Sequence, residues 1–349
     1  MRIAAVGAAF PPHFHSQEEL VAALRRHWEA RYFNPARLEQ LHKNVLVGGR
    51  HLALPIAELE RLDGFGAAND AWIEVATEVG EAALAEALAR AGLAPRELGA
   101  IFFVSVTGIA TPSIDARLVN RMGLDERIKR VPIFGLGCVA GAAGIARAAD
   151  YVKAFPDEAA ALVSVELCSL TLQREDLSIP NLIASGLFGD GAAAAIVVGA
   201  GRGGDGPEIV ATRSIFYPGS ERVMGWDIRS SGFQIVLSAE VPQVVERYLR
   251  RDVEDFLAEH GLARGEVASW VCHPGGPRVL EAMQAALGIE RAALELAWKS
   301  LAEVGNLSSA SVLLVLRDTI AERRPARGSW GMLLALGPGF CSELVLLRW

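Results

Sequence analysis

The stretch Val131-Pro-Ile-Phe-Gly-Leu-Gly-Cys-Val-Ala-Gly-Ala-Ala-Gly-Ile-Ala-Arg-Ala-Ala-Asp150 limits the possible folds more than any other part of the chain. It opens as a short apolar strand, breaks at Gly135 and Gly137, and continues as a helix of mostly alanine and glycine. Side chains that small let neighbouring backbone approach closely, so this helix belongs deep in a core. Cys138 falls where the turn meets the first helical turn. A helix N-terminus carries unpaired N–H groups and the positive end of the dipole, and both favour an anion. A thiol placed there is expected to lose its proton readily, and the thiolate is the nucleophile. Taken alone, such a cysteine is more simply a packing residue.

Strand and helix patterns alternate along the rest of the chain. Arg2 to Phe10 reads as a strand, stopped by Pro11-Pro12. Ser16-Gln-Glu-Glu19 has the form of a capping box and opens a helix through about Trp28, with a second from Pro35 to Lys43. Apolar residues recur at helical spacing from Asn69 to Ala91 and again over Ser113–Met122. Ile101–Val106 and Ala160–Glu166 are nearly all apolar, as in strands buried on both faces. Thr171 to Ser185 reads as a loop with a helical piece, and Phe188–Val198 as a glycine-kinked strand. Gly199–Pro207 has linker composition. Beyond it the plan repeats: strands at Glu208–Phe216, Phe233–Leu237 and Val267–Cys272, and helices at Pro242–Glu259, Pro277–Leu287 and Ser308–Ala321. A last hairpin joins Trp330–Leu336 to Ser342–Leu347 around Gly337-Pro338-Gly339. This alternation predicts a layered α/β fold with a mostly parallel, buried sheet, built from halves spanning 1–205 and 206–349.

With 349 residues and 51% apolar composition, the chain can bury a large core. A net charge of -7 argues against a nucleic-acid partner, which requires a basic face. No apolar run reaches the ~20 residues of a membrane span. Cys138, Cys168, Cys272 and Cys341 lack metal-ligand spacing and lie in apolar stretches, as expected of thiols in a reducing cytoplasm.

Two further residues stand in chemical settings. His273, in Trp270-Val-Cys-His-Pro-Gly-Gly-Pro277, ends a strand just before a helix, where α/β folds place ligands. Asn306, in Gly305-Asn-Leu-Ser-Ser-Ala310, precedes a helix of small and apolar residues. The simple reading makes it a cap, yet its side chain also offers an N–H donor to a developing oxyanion.

These motifs together resemble one family. Gly-Cys-x-Ala-Gly around Cys138, Leu-Phe-Gly-Asp-Gly-Ala around Phe188, His-Pro-Gly-Gly-Pro from His273, Gly-Asn-x-Ser-Ser-Ala around Asn306 and the late Gly-Pro-Gly resemble type III polyketide synthases. These are the chalcone-synthase-like members of the thiolase fold. The motifs come in the family's order and span nearly the whole chain. The resemblance implies a five-layer αβαβα fold built from two similar halves, a homodimer, acyl-CoA and malonyl-CoA as substrates, and no metal or prosthetic group. It casts Cys138 as the nucleophile, and His273 and Asn306 as donors to the thioester oxygen while malonyl-CoA loses carbon dioxide. It makes Phe188 an aromatic gate. The second gating position falls at Ile235, with Phe233 on the same strand face. Glu166, Cys168, Thr171, Gly186 and Ser308 would line the cavity, beside a wall of Gly337, Pro338 and Gly339. Arg37, Lys43 and Arg50 would meet the CoA phosphates.

Thr107–Ile114 and Glu166–Thr171 resemble the bacterial branch that makes alkylpyrones and alkylresorcinols from fatty acyl-CoA starters, and that is the expected product class. The alternative is a malonyl-CoA-primed synthase of the tetrahydroxynaphthalene type. A ketoacyl-ACP synthase is disfavoured by Pro-Gly-Gly-Pro after His273, and a catalytically silent thiolase-fold binding partner by the presence of Cys138, His273 and Asn306.

Overall fold

The computed structural model describes residues 1–28 and 34–349. In chain order, β1 (Arg2–Ala9) and β2 (His13–Ser16) lead into α1 (Gln17–Trp28) and α2 (Pro35–Asn44), followed by β3 (Gly49–Leu52), α3 (Ile56–Leu59) and the long α4 (Gly64–Ala91). Next come β4 (Leu98–Val104), α5 (Ile114–Met122), β5 (Lys129–Ile133), α6 (Ala140–Ala154), β6 (Ala159–Leu167), α7 (Ile179–Leu187) and β7 (Asp190–Val198). The second half holds β8 (Glu208–Phe216), the β9–β10 hairpin (Met224–Arg229 and Gly232–Leu237), α8 (Val241–Ala258), β11 (Val267–Cys272), α9 (Pro277–Leu287) and α10 (Glu295–Val304). It ends with α11 (Ser311–Glu322), β12 (Trp330–Gly337) and β13 (Cys341–Arg348).

The main sheet runs β11-β12-β13-β8-β1-β7-β6-β4-β5, and its two halves join through β1 and β8. Both halves use one pairing scheme. β4 and β6 are parallel, then β6–β7 and β7–β1 antiparallel; β11 and β12 are parallel, then β12–β13 and β13–β8 antiparallel. The sheet is therefore mixed, with antiparallel pairs predominating, where alternation had suggested mostly parallel strands. The reason lies in the connections. A helix between two strands makes them parallel only if it packs back across the sheet. α7 packs instead on α2 and β10, so β7 returns antiparallel to β6.

Strand periodicity divides the core. Ala100, Phe102, Ala160, Leu162, Ala193 and Ala195 face α6, while Ile101, Phe103, Ala161, Val163, Ala194 and Ile196 face α4 and α5. α6 and α11 touch strands of both halves and form the middle layer, with α8 and α9 paired on the far side. The architecture is the five-layer αβαβα thiolase-like fold. Small residues permit the central layer: a Cβ on Gly144 would lie 2.4 Å from Leu162, and one on Gly141 only 2.3 Å from the Ser309 carbonyl oxygen. The capping box forms, with the Ser16 N–H donating to Glu19 at 2.8 Å. The sequence reading missed β2, β3, β9, α3 and α10, which lie outside the sheet core or are short, and it began α4 late.

Candidate active site

Gly135 and Gly137 take positive φ, 97° and 56°, and swing the chain from β5 into a single 3-10 turn, Gly137–Val139, ahead of α6. Cys138 sits in that turn, buried. The Gly337-Pro338-Gly339 turn between β12 and β13 braces it from outside. A Cβ on Gly137 would lie 2.8 Å from the Pro338 ring, and one on Gly337 only 2.6 Å from the Val139 nitrogen.

Two groups approach the sulfur. Cys138 Sγ lies 3.5 Å from Ser308 Oγ, and the Asn306 carboxamide interacts with the same sulfur. Asn306 is held on all sides. Its N–H donates to the Leu187 carbonyl at 2.9 Å, its own carbonyl accepts from Gly189 at 3.0 Å, and its Oδ1 accepts from the Ser308 N–H at 2.8 Å. Its Nδ2 donates to the Gly275 carbonyl at 3.2 Å, which ties it to the loop that follows His273. The segment expected to begin a helix at Ser308 is a separate 3-10 turn, Ser308–Ala310, with Ser308 at φ 47°. That left-handed conformation is uncommon for a residue other than glycine, and here the surrounding hydrogen bonds hold it.

His273 continues the β11–β12 ladder by donating its N–H to the Leu334 carbonyl at 3.0 Å. Its imidazole is 2% exposed, and neither ring nitrogen has a partner among the described residues. Burial pushes the imidazole down to about 3, so at neutral pH it is an uncharged ring with one N–H to donate. Burial pushes the Cys138 thiol up to about 12, against the smaller opposing influence of Ser308, the local backbone and Asn306. The helix start alone therefore does not make a resting thiolate, contrary to the expectation from sequence, because desolvation outweighs it.

Beside these residues lies a cavity of about 690 Å³. Cys168, Thr171, Phe188 and Ile235 line it; Cys138, His273 and Asn306 do not border it directly. Phe188 connects the two regions, since it bridges to Asn306 through the backbone while its residue also lines the cavity. Several expected cavity residues stand elsewhere. Glu166 is fully buried behind the wall and accepts from the Val106 N–H and Thr107 hydroxyl, each at 3.1 Å, from Ser105 at 3.4 Å, and from Ser309. Phe233 packs into an aromatic group with Phe65, Phe134 and Trp226, leaving Ile235 on the cavity side. Gly186 makes room for the buried His42 ring, 2.9 Å from where a Cβ would stand, and not for a ligand. Arg37 and Lys43 are exposed on α2, but Arg50 is buried and cannot meet a phosphate at the surface. Sequence reading also missed Ser309, the adjacent anchor on Glu166, and Trp226, which lines the cavity opposite Ile235 in the β9–β10 register. The alternation in Met224–Arg229 was the available signal for that strand.

Family models for the chalcone and stilbene synthases match nearly all of the chain, the N-terminal domain over residues 1–202 and the C-terminal domain over 208–349. A 1,3,6,8-tetrahydroxynaphthalene synthase from Streptomyces peucetius subsp. caesius is 51% identical, covering 99% of this chain and 93% of the relative. One from Streptomyces griseus is 32% identical, covering 98% and 91%. The crystal structure of 1,3,6,8-tetrahydroxynaphthalene synthase from Streptomyces coelicolor A3(2), a bacterial type III polyketide synthase, superposes with a TM-score of 0.95. It is 33% identical, covering 100% of this chain and 99% of that one. Among the described residues no helix is long and apolar enough to cross a membrane. Fold, motif order and relatives agree: the chain belongs to the chalcone and stilbene synthase family and is a type III polyketide synthase, an acyltransferase that condenses CoA thioesters with loss of carbon dioxide.

Proposed function

We propose that the enzyme primes itself with malonyl-CoA and releases a tetrahydroxynaphthalene-type product. The observation that carries this reading is the 51% identity, end to end, to a synthase of that name. It replaces the fatty acyl starter expected from the Thr107–Ile114 and Glu166–Thr171 stretches. The cavity fits it. Its wall is polar in part: Ser169, Thr171, Gln173 and Gln234 line it beside the indole of Trp226, and the second Nε2 hydrogen of Gln234, left over from its bond to Asp176, is a donor for a carbonyl of a poly-keto chain.

Cys138 Sγ attacks the thioester carbonyl, the carbon–sulfur bond to CoA breaks, and the thiol proton passes by way of His273 to the departing CoA sulfur. A further malonyl-CoA then loses carbon dioxide, and the electron pair of the broken carbon–carbon bond becomes an enolate. A neutral His273 N–H and the Asn306 Nδ2 hydrogen left free by Gly275 donate to the enolate oxygen. The enolate carbon attacks the Cys138 thioester carbonyl, the bond from that carbon to Sγ breaks and its electron pair returns to the sulfur, and the lengthened chain leaves on CoA. Ser308 steadies the sulfur, Phe188 gates the passage, and Arg37 and Lys43 are the exposed cations offered to the CoA phosphates. The chain acts as a homodimer, for which edge strand β5 and the loop after it offer exposed Val131 and Phe134.

The test is a panel of starters from malonyl- and acetyl- to stearoyl-CoA, each with malonyl-CoA as extender, read by mass spectrometry. Malonyl-CoA alone is expected to give the naphthalene product, and Cys138→Ala to give none. Preference for long acyl starters over malonyl-CoA would overturn the reading.

A further inference from the structure

Arg50 is a buried cation at the wall of the cavity, 3% exposed, and nothing in the reaction above uses it. Its guanidinium donates to three neutral acceptors: Gln17 Oε1 at 2.7 Å and the carbonyls of Ser185 and Gly186. Among the described residues no carboxylate lies within 4.0 Å of it. The buried Asp190, whose charge Arg50 feels, is already occupied by the Ala53 N–H at 2.6 Å, the Ser169 N–H at 2.8 Å and the Ser169 hydroxyl. Asp190 attracts Arg50 from beyond contact distance, yet a buried cation is normally matched by an anion in direct contact, and Arg50 has none among the described residues. The Nε–H and one Nη2 hydrogen remain uncommitted among the described residues, and a guanidinium fork suits a planar carboxylate.

The placement says which carboxylate. Arg50 and Phe188 border the same cavity, and Phe188 bridges through its backbone to Asn306 beside the sulfur, so a chain that passes Phe188 from Cys138 enters the space Arg50 borders. A malonyl unit loaded through its thioester still carries a free carboxylate at its other end, and that end is driven away from Cys138 as the chain grows. We propose that Arg50 binds the carboxylate at the free end of the acyl chain, so that the site selects starters bearing a second acid group. This deepens the malonyl-primed reading and rests on it.

The experiment compares acid-ended with neutral starters of equal carbon number on the whole enzyme: succinyl- against butyryl-CoA and glutaryl- against valeryl-CoA, with malonyl-CoA as extender. Loading is read as kcat/KM and as the mass of the acyl group on Cys138. The wild type is expected to favour the acid-ended member by roughly tenfold to a hundredfold, the range of a charge-assisted hydrogen bond. Arg50→Lys should keep part of that ratio, and Arg50→Met should abolish or invert it. A wild-type ratio near unity overturns the proposal. So does a folded Arg50→Met enzyme, checked by circular dichroism and urea midpoint, with an unchanged ratio, which would leave Arg50 as a cap on the C-terminus of α7. If Arg50→Met does not fold, the wild-type and Arg50→Lys ratios still decide. The two readings fail separately. No naphthalene product from malonyl-CoA alone removes the priming reading, whereas product without acid selectivity removes only the role of Arg50.

Discussion

Gly141→Ala tests whether the central layer sets the position of the nucleophile. The added Cβ would stand 2.3 Å from the Ser309 carbonyl oxygen and 2.6 Å from Val312 Cγ1. Ordinary contact begins near 3.4 Å, so α6 and the Ser308–Ala310 turn must part by roughly 1 Å. Backbone cannot rotate out of the way as a side-chain tip can. The displaced elements are the two that carry Cys138 and its Ser308 partner, which stand 3.5 Å apart in the native site. Overpacking of this kind costs about 1–3 kcal/mol of stability, and a misplacement of about 1 Å costs on the order of a hundredfold in rate. The assay is condensation with malonyl-CoA alongside urea unfolding. Gly66→Ala in α4 is the control: nothing lies within 4 Å of its Cβ position, and it should raise stability by about 0.5–1 kcal/mol with activity unchanged. Native rate and native urea midpoint in Gly141→Ala would refute the argument that this close approach positions the sulfur.

His273→Ala should lower malonyl-CoA decarboxylation by roughly 10²–10³-fold, the usual loss for one oxyanion donor, and an unchanged rate would reject that role. His42 offers a separate check on stability. Its folded value, about 3, lies below the unfolded 6.5, so the unfolded chain binds the extra proton and stability is lost as pH falls below 6.5. From pH 7 to pH 5 this one group removes about 2 kcal/mol, so the stability difference between those pH values should shrink by that amount in His42→Phe. Parallel curves for the two proteins would contradict it.

Local chemistry was legible where it depends on local backbone. Gly135 and Gly137 announced the turn, small residues announced the buried helix, and the strand end announced His273. What failed in reading depended on what each residue faces. Arg50 looked like a surface phosphate ligand because charge is visible in sequence and burial is not. Gly186 looked like space for a ligand, whereas the space is filled by His42 from α2. Phe233 and Ile235 share a strand face, yet the aromatic group around Phe65 absorbs one and the cavity receives the other. Strand direction was misjudged because it depends on where α7 packs, a property of the far end of the chain as much as of its own residues.

The amino-acid sequence by itself determined the order of the main-sheet strands and of most of the long helices, the nucleophile turn at Cys138 and the family, because turns, periodicity and residue chemistry act over a few neighbouring positions. Only the tertiary structure decided which groups are charged and which meet. Desolvation raises the Cys138 thiol and lowers the His273 imidazole, and close packing at Gly141 and Gly137 brings three distant segments around one sulfur. Both effects come from atoms far apart along the chain, and they exist only once the layers have closed.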